Sequence, residues 1–236
     1  MTNAGLLDVN AGRGRQSTPD HIADTLRRAI CEGRIVGGAQ LKQTEVASTF
    51  GVSIVPVREA FSRLVADGLA TLIPNRGVMV TPVSAENFID IAEMRSLLEP
   101  HALRLSGPKL TDQDFTAAEA ALHAAKAATD LLERAHHHWD FHRILYSRAG
   151  RPRQLAQIAS LYTNINRYLL PLWSRVGLSA DWVGSHMAIV QKIKDGDIDG
   201  AADLIGRQAV ESAERVHDVL RRIEANQSST PNGKEP

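Results

Sequence analysis

The densest run of reactive side chains is "HHHWDFH", residues 136–142. His138 and His142 are four residues apart, so on a helix both imidazoles leave the same face and can offer a divalent metal two ligands. Such a site needs a third ligand from another helix, and His186 is the obvious one. Imidazole nitrogens suit Zn²⁺, Ni²⁺ or another borderline transition ion better than Ca²⁺ or Mg²⁺, which want oxygen. Asp140 does not join easily, because two residues along a helix turn it about 200° from His138. Two other readings stay open: packing histidines held by hydrogen bonds, and direct effector binding without metal. His101, His123, His136, His137 and His217 read as surface or packing residues. The adjacent His217-Asp218 pair keeps a metal-dependent helical hydrolase in play. That reaction would need a nearby general base and an activated water, and no acidic residue shares the face of His138 and His142.

A second group of side chains could meet DNA. In "GVSIVPVREAFSRLVADGLA", residues 51–70, Ser53 is the expected N-cap of a helix, leaving backbone N–H groups at the positive end of its dipole for a phosphate. Arg58 stands opposite the apolar stripe of Val57, Phe61 and Leu64 and can reach a phosphate, with Arg63 as a second contact. Arg76, on the turn from Asn75 to Gly77, is placed for the backbone or a minor groove. Gln43 and Thr44 are further candidates at the start of the preceding helix. Ile54 and Val55 make the helix tip apolar; isoleucine cannot read guanine through hydrogen bonds, but it can lie against a thymine methyl. Each arginine alone would read as a solvated charge, whereas the constellation reads as an interface for double-stranded DNA.

Three short helices and a hairpin would carry that constellation. Ile22, Leu26, Ala29 and Ile30 recur at helical spacing between Pro19 and Cys31; Val46, Ala47 and Phe50 do so between Thr44 and Gly51. The third helix runs from Ser53 to Asp67, with Gly68 at the position that commonly takes a left-handed cap. "LATLI" and "VMVT" then flank the turn "PNRG". The plan is that of a winged helix-turn-helix, whose third helix fits a major groove about 12 Å wide.

After Pro82 the pattern changes to long helices, at roughly 84–106, 111–129, 131–149, 151–173, 180–195 and 198–225. The expected fold class is therefore mostly α: a winged helix-turn-helix over 18–82, then an all-α bundle over 83–225, with disordered tails at 1–17 and 226–236. The chain has 236 residues, 43% of them hydrophobic, which is enough to bury two cores. Lys and Arg balance Asp and Glu at 27 each, so any basic surface must be local. No apolar run approaches the roughly 20 residues that span a bilayer, and no secretory leader is evident, so a soluble cytoplasmic protein with no membrane partner is expected. Cys31, the only cysteine, reads as packing.

"LRRAICEGRIVGGAQL", "EVASTFGVSIVPVREAFSRLVADGLA" and "PNRGVMV" resemble the DNA reader of GntR-type bacterial transcription regulators. The stretch from "AEMRSLLEPHALRL" through "WDFHRILYSRAG" to "SHMAIVQKIKDGDIDGAADLI" looks like the helical effector domain, called FCD, of the FadR branch. The six-helix count is closer to its VanR-like subgroup. The resemblance implies a homodimeric repressor or activator whose operator affinity responds to a small-molecule effector, such as a carboxylic acid. It also implies a metal site, in which His138 stands where the family usually has aspartate and Gln208 where it has histidine. Gln208 is a poor Zn²⁺ ligand and could leave a position open to an effector carboxylate. The family has an arginine facing the cavity where this chain has Arg95; Asn164, Arg167 and Tyr168 are weaker effector contacts on the fourth helix of the bundle. Where the chain has Ile54 and Val55 the family usually has arginine and threonine, which implies an operator with less dependence on guanine there. A dimer whose effector site has decayed is the remaining alternative.

Overall fold

A computed structural model of the chain describes residues 17–74 and 76–228, together with Leu7. Asn75 and most of the two expected tails lie outside the described residues. The elements, in order, are α1 (Thr18–Cys31), β1 (Gln40–Leu41), α2 (Gln43–Phe50), α3 (Ile54–Ala66), β2 (Ala70–Ile73), β3 (Gly77–Val80), α4 (Ala85–Ser106), α5 (Asp112–Ala127), α6 (Leu131–Tyr146), α7 (Pro152–Val176), α8 (Trp182–Lys194) and α9 (Ile198–Ser228). Two expected boundaries move. Ser17 is the N-cap of α1, its hydroxyl accepting from the Asp20 N–H, and the last helix runs on through 226–228. Leu7 packs against the core of the reader, so apolar burial reaches into the segment expected to be a tail.

The chain divides into two compact units. The first is the winged helix-turn-helix through Val83, joined by residues 159–171 of α7. Its core takes Ile22 and Leu26 from α1, Val57, Phe61 and Leu64 from α3, and Val78 and Val80 from β3. Burying each such side chain contributes roughly 1.5–3 kcal/mol before conformational entropy is counted. Cys31 belongs to this buried layer, and burial pushes its thiol up to about 12.

The wing differs from the expected two-stranded hairpin. It is a three-stranded antiparallel sheet in the order β1-β3-β2, with Leu41 opposite Val78 and Ile73 opposite Gly77. A two-residue strand is too short to announce itself by alternation. Its presence fixes Gly77, which has φ +104°: a Cβ there would stand 2.0 Å from the Leu41 carbonyl oxygen. Glycine is therefore required at 77 by the sheet, whatever its relation to DNA.

The inclusion of 159–171 in the first unit also corrects the expected domain boundary. Asn164 donates from its amide to the Asp67 carbonyl at the end of α3, and Arg167 donates to the Thr81 carbonyl just beyond β3. Such polar anchors to main-chain carbonyls leave no signature in hydrophobic periodicity.

The second unit, Ser84–Ile158 with Leu172 onward, holds the helical bundle. Caps start its helices where the sequence places Ser84, Thr111 and Asp130: each side chain accepts from a first-turn N–H, and Thr111 with Asp114 completes a capping box. Gly206 lets α9 approach α4 closely, since a Cβ there would lie 3.2 Å from the Pro100 ring. Among the described residues no helix is long and apolar enough to cross a membrane.

Gly77→Ala tests the steric account of the wing. The substitution is expected to destabilise the reader by about 2–3 kcal/mol in chemical denaturation, because a positive φ and a backbone clash act together. Unchanged stability would contradict it.

Candidate functional site

In the bundle, α6 presents His138 and His142 from one face and α8 brings His186 to meet them. The three are buried, and each offers a nitrogen within 4.8 Å of the others. His138 Nε2 lies 3.0 Å from His186 Nε2 and 3.1 Å from His142 Nε2. Trp173 and Trp182 wall the group, with ring centroids 5.9 and 5.3 Å from that of His138. Burial holds all three imidazoles below the ordinary histidine range, His186 at about 4. The positive charge of Arg95 pushes each of them further down.

Proton accounting decides which way these rings face. His186 Nδ1 is 2.7 Å from the Trp182 carbonyl, which can only accept, so the ring proton sits on Nδ1 and Nε2 carries a bare lone pair. His142 Nδ1 is 3.2 Å from the Tyr146 hydroxyl, whose proton goes to Glu99 Oε2 at 2.8 Å; Nδ1 again donates and Nε2 is bare. His138 Nε2 can carry one proton and donate to one neighbour, and it then faces a lone pair without a proton on the other. A cation at the centre would accept all three lone pairs at once. Tetrahedral zinc–nitrogen bonds of about 2.05 Å place ligand nitrogens about 3.3 Å apart, close to the spacings here.

Gln208 donates from its amide to the carbonyl of Ser185, the residue before His186. Asp140 pairs with Arg143 and His136 and stays out of the cluster, as its helical angle requires. Glu99 and Tyr146 are the members that sequence reasoning missed. Glu99 is fully buried and ion-paired to Arg95 at 2.5 Å. A signal existed: on α4 the buried positions Phe88, Ile91, Ala92, Arg95, Glu99 and Ala102 form one stripe, and two charges inside an apolar stripe mark a buried polar network. Tyr146 follows His142 by one helical turn. The effector candidates Asn164, Arg167 and Tyr168 lie in the segment assigned to the first unit. The Asn164 amide and Arg167 Nη2 serve the anchoring described above, while Nε and Nη1 of the buried Arg167 find no hydrogen-bond partner.

At the reader, Ile54 and Val55 are exposed at the start of α3, behind the N-cap Ser53, whose side chain makes no capping bond. Arg58 is exposed, and its Nε donates to Gln43 Oε1 at 3.0 Å, which pre-orients the guanidinium. Gln43, Thr44 and Arg76 line a groove of about 400 Å³ with Gln40 and Lys42, two residues not singled out from the sequence. Arg63 is otherwise engaged: it pairs with Asp20 of α1, so it braces two helices and is not presented with Arg58.

Residues 18–80 match the family described as bacterial regulatory proteins, gntR family, and residues 90–209 match the FCD domain. The HTH-type transcriptional repressor RspR of Escherichia coli is 25% identical over 90% of this chain and 93% of its own length. The Nta operon transcriptional regulator of Aminobacter aminovorans is 35% identical over 33% of this chain; that match spans 37% of the regulator's length. Among solved structures, a GntR family regulator from Pseudomonas syringae pv. tomato is 26% identical with a TM-score of 0.53, covering 93% of this chain and 96% of that one. The chain thus belongs to the GntR family of bacterial regulatory proteins, in the FadR-like branch that carries an FCD domain, and is a transcriptional regulator and not an enzyme.

Proposed function

We propose that the chain is a cytoplasmic, homodimeric repressor whose operator affinity is set by a small-molecule effector in the FCD domain, at a site built around a divalent transition metal. The observation that carries the metal reading is the convergence of three Nε2 atoms, two of them made bare by fixed acceptors behind the rings. Three neutral imidazoles favour zinc or nickel, and a bound ion would supply Lewis acidity for an effector oxygen. Gln208 donates to the carbonyl of Ser185, the neighbour of His186, and an effector carboxylate would take the fourth position on a metal held by three imidazoles. Asn164 and Arg167 are engaged with the carbonyls of Asp67 and Thr81, and Arg95 is kept as the effector contact. Repression follows the names of relatives such as RspR.

At the DNA, α3 enters the major groove with Ile54 and Val55 against thymine methyls, Arg58 on a phosphate, and Arg76 on the backbone or in the minor groove. By linkage the operator and the effector bias each other equally, and a coupling of about 1–3 kcal/mol suffices for regulation.

Three measurements test this. Zn²⁺ or Ni²⁺ at about a hundredfold excess over Kd should add roughly 2.7 kcal/mol of stability, a rise of several degrees in Tm that His138→Ala abolishes; no metal-dependent shift in the wild type would refute the site. For metal-free protein, the unfolded chain protonates these histidines below about pH 6.5 while the folded chain resists. Stability should therefore fall as pH drops from 6.5 toward 4, by about 1.4 kcal/mol per pH unit for each histidine that stays neutral, and less steeply in His138→Ala. On an operator recovered by selection, Arg58→Ala should weaken binding about fivefold at physiological salt and reduce the salt slope by about 1, whereas Arg63→Ala should leave that slope unchanged. Equal slopes for the two variants would overturn the assignment.

A further inference from the structure

We infer that Tyr146 and Glu99 are positioning residues for the metal: the chain Arg95–Glu99–Tyr146–His142 locks His142 in the tautomer that turns its unprotonated Nε2 to the cluster. The inference rests on the metal-binding reading above. Glu99 accepts from Arg95 Nε through Oε1 at 2.5 Å, and its other oxygen is 2.8 Å from the Tyr146 hydroxyl. An ion-paired carboxylate only accepts, so the single tyrosine proton points to Glu99. The hydroxyl oxygen, left with lone pairs, can only accept from His142 Nδ1 at 3.2 Å. Reversing the ring's tautomer would turn the tyrosine proton toward Nδ1 and take that donor away from a carboxylate with no solvent exposure.

The ligand set His138, His142 and His186 is neutral, and Glu99 pairs with the Arg95 guanidinium at 2.5 Å. Tyr146 conveys the carboxylate's polarisation to His142 through one hydrogen bond, the arrangement by which an acceptor behind a metal-bound histidine raises its basicity.

The test is Tyr146→Phe, with Glu99→Gln as the second variant, in the full chain. Zn²⁺ affinity is read by competition with a chromophoric chelator, and the His142 tautomer by ¹⁵N chemical shifts of the metal-free protein. The wild type should bind Zn²⁺ with His142 protonated on Nδ1. Tyr146→Phe should lose about 10- to 100-fold in affinity and show a mixed tautomer, with helical content unchanged. Glu99→Gln, which keeps the shape but replaces the carboxylate that accepts the tyrosine proton, should lose affinity as well. A wild type that binds no Zn²⁺ overturns the metal reading and this inference together. Wild-type affinity in both variants, or His142 protonated on Nε2 in the wild type, overturns this inference alone. If Tyr146→Phe does not fold, Glu99→Gln and the wild-type tautomer decide it.

Discussion

Three imidazole nitrogens meeting in a buried cluster impose more on this protein than any other feature of the bundle. Neutral rings can share a small space only if each has somewhere to put its proton, and burial keeps all three neutral. The backbone carbonyl of Trp182 takes the proton of His186, and Tyr146 takes that of His142. Those acceptors need their own partners, which brings in Glu99 and through it Arg95. A polar chain of this length inside an apolar stripe persists because each member is satisfied by the next. The rings of Trp173 and Trp182 stand against His138.

The reader is governed by a different constraint, the packing of a small sheet against three helices. β1 contributes only two residues, yet it dictates glycine at 77 and so shapes the turn that carries Arg76. Pairing with Asp20 ties Arg63 to α1, which leaves Arg58, braced by Gln43, as the arginine of α3 that faces outward. An apolar tip beside one oriented cation divides the labour at the interface: the cation meets the DNA backbone, and shape and methyl contact choose the sequence.

Much of this was legible in the chain itself. Helical periodicity and its breakers marked the helices of both units, because apolar stripes and caps are local properties that a short window records. The glycine and asparagine of "PNRG" marked the hairpin, and a spacing of four placed His138 and His142 on one face. His186 could be paired with them through its match to the family's metal-site histidine, since His101, His123 and His217 also lie on other helices of the bundle.

What the linear order withheld were relations between distant residues. β1 is too short for a pattern; the assignment of residues 159–171 to the first unit depends on Asn164 and Arg167 finding the carbonyls of Asp67 and Thr81. Glu99 lies 47 positions from Tyr146, and nothing local states that a carboxylate in α4 orients a ring in α6 through a hydroxyl. The sequence by itself determined the helices, the reader and two ligands of the candidate site. Only the tertiary structure decided which arginines are engaged and which protons are held where, since burial and hydrogen-bond geometry exist only once the helices have packed.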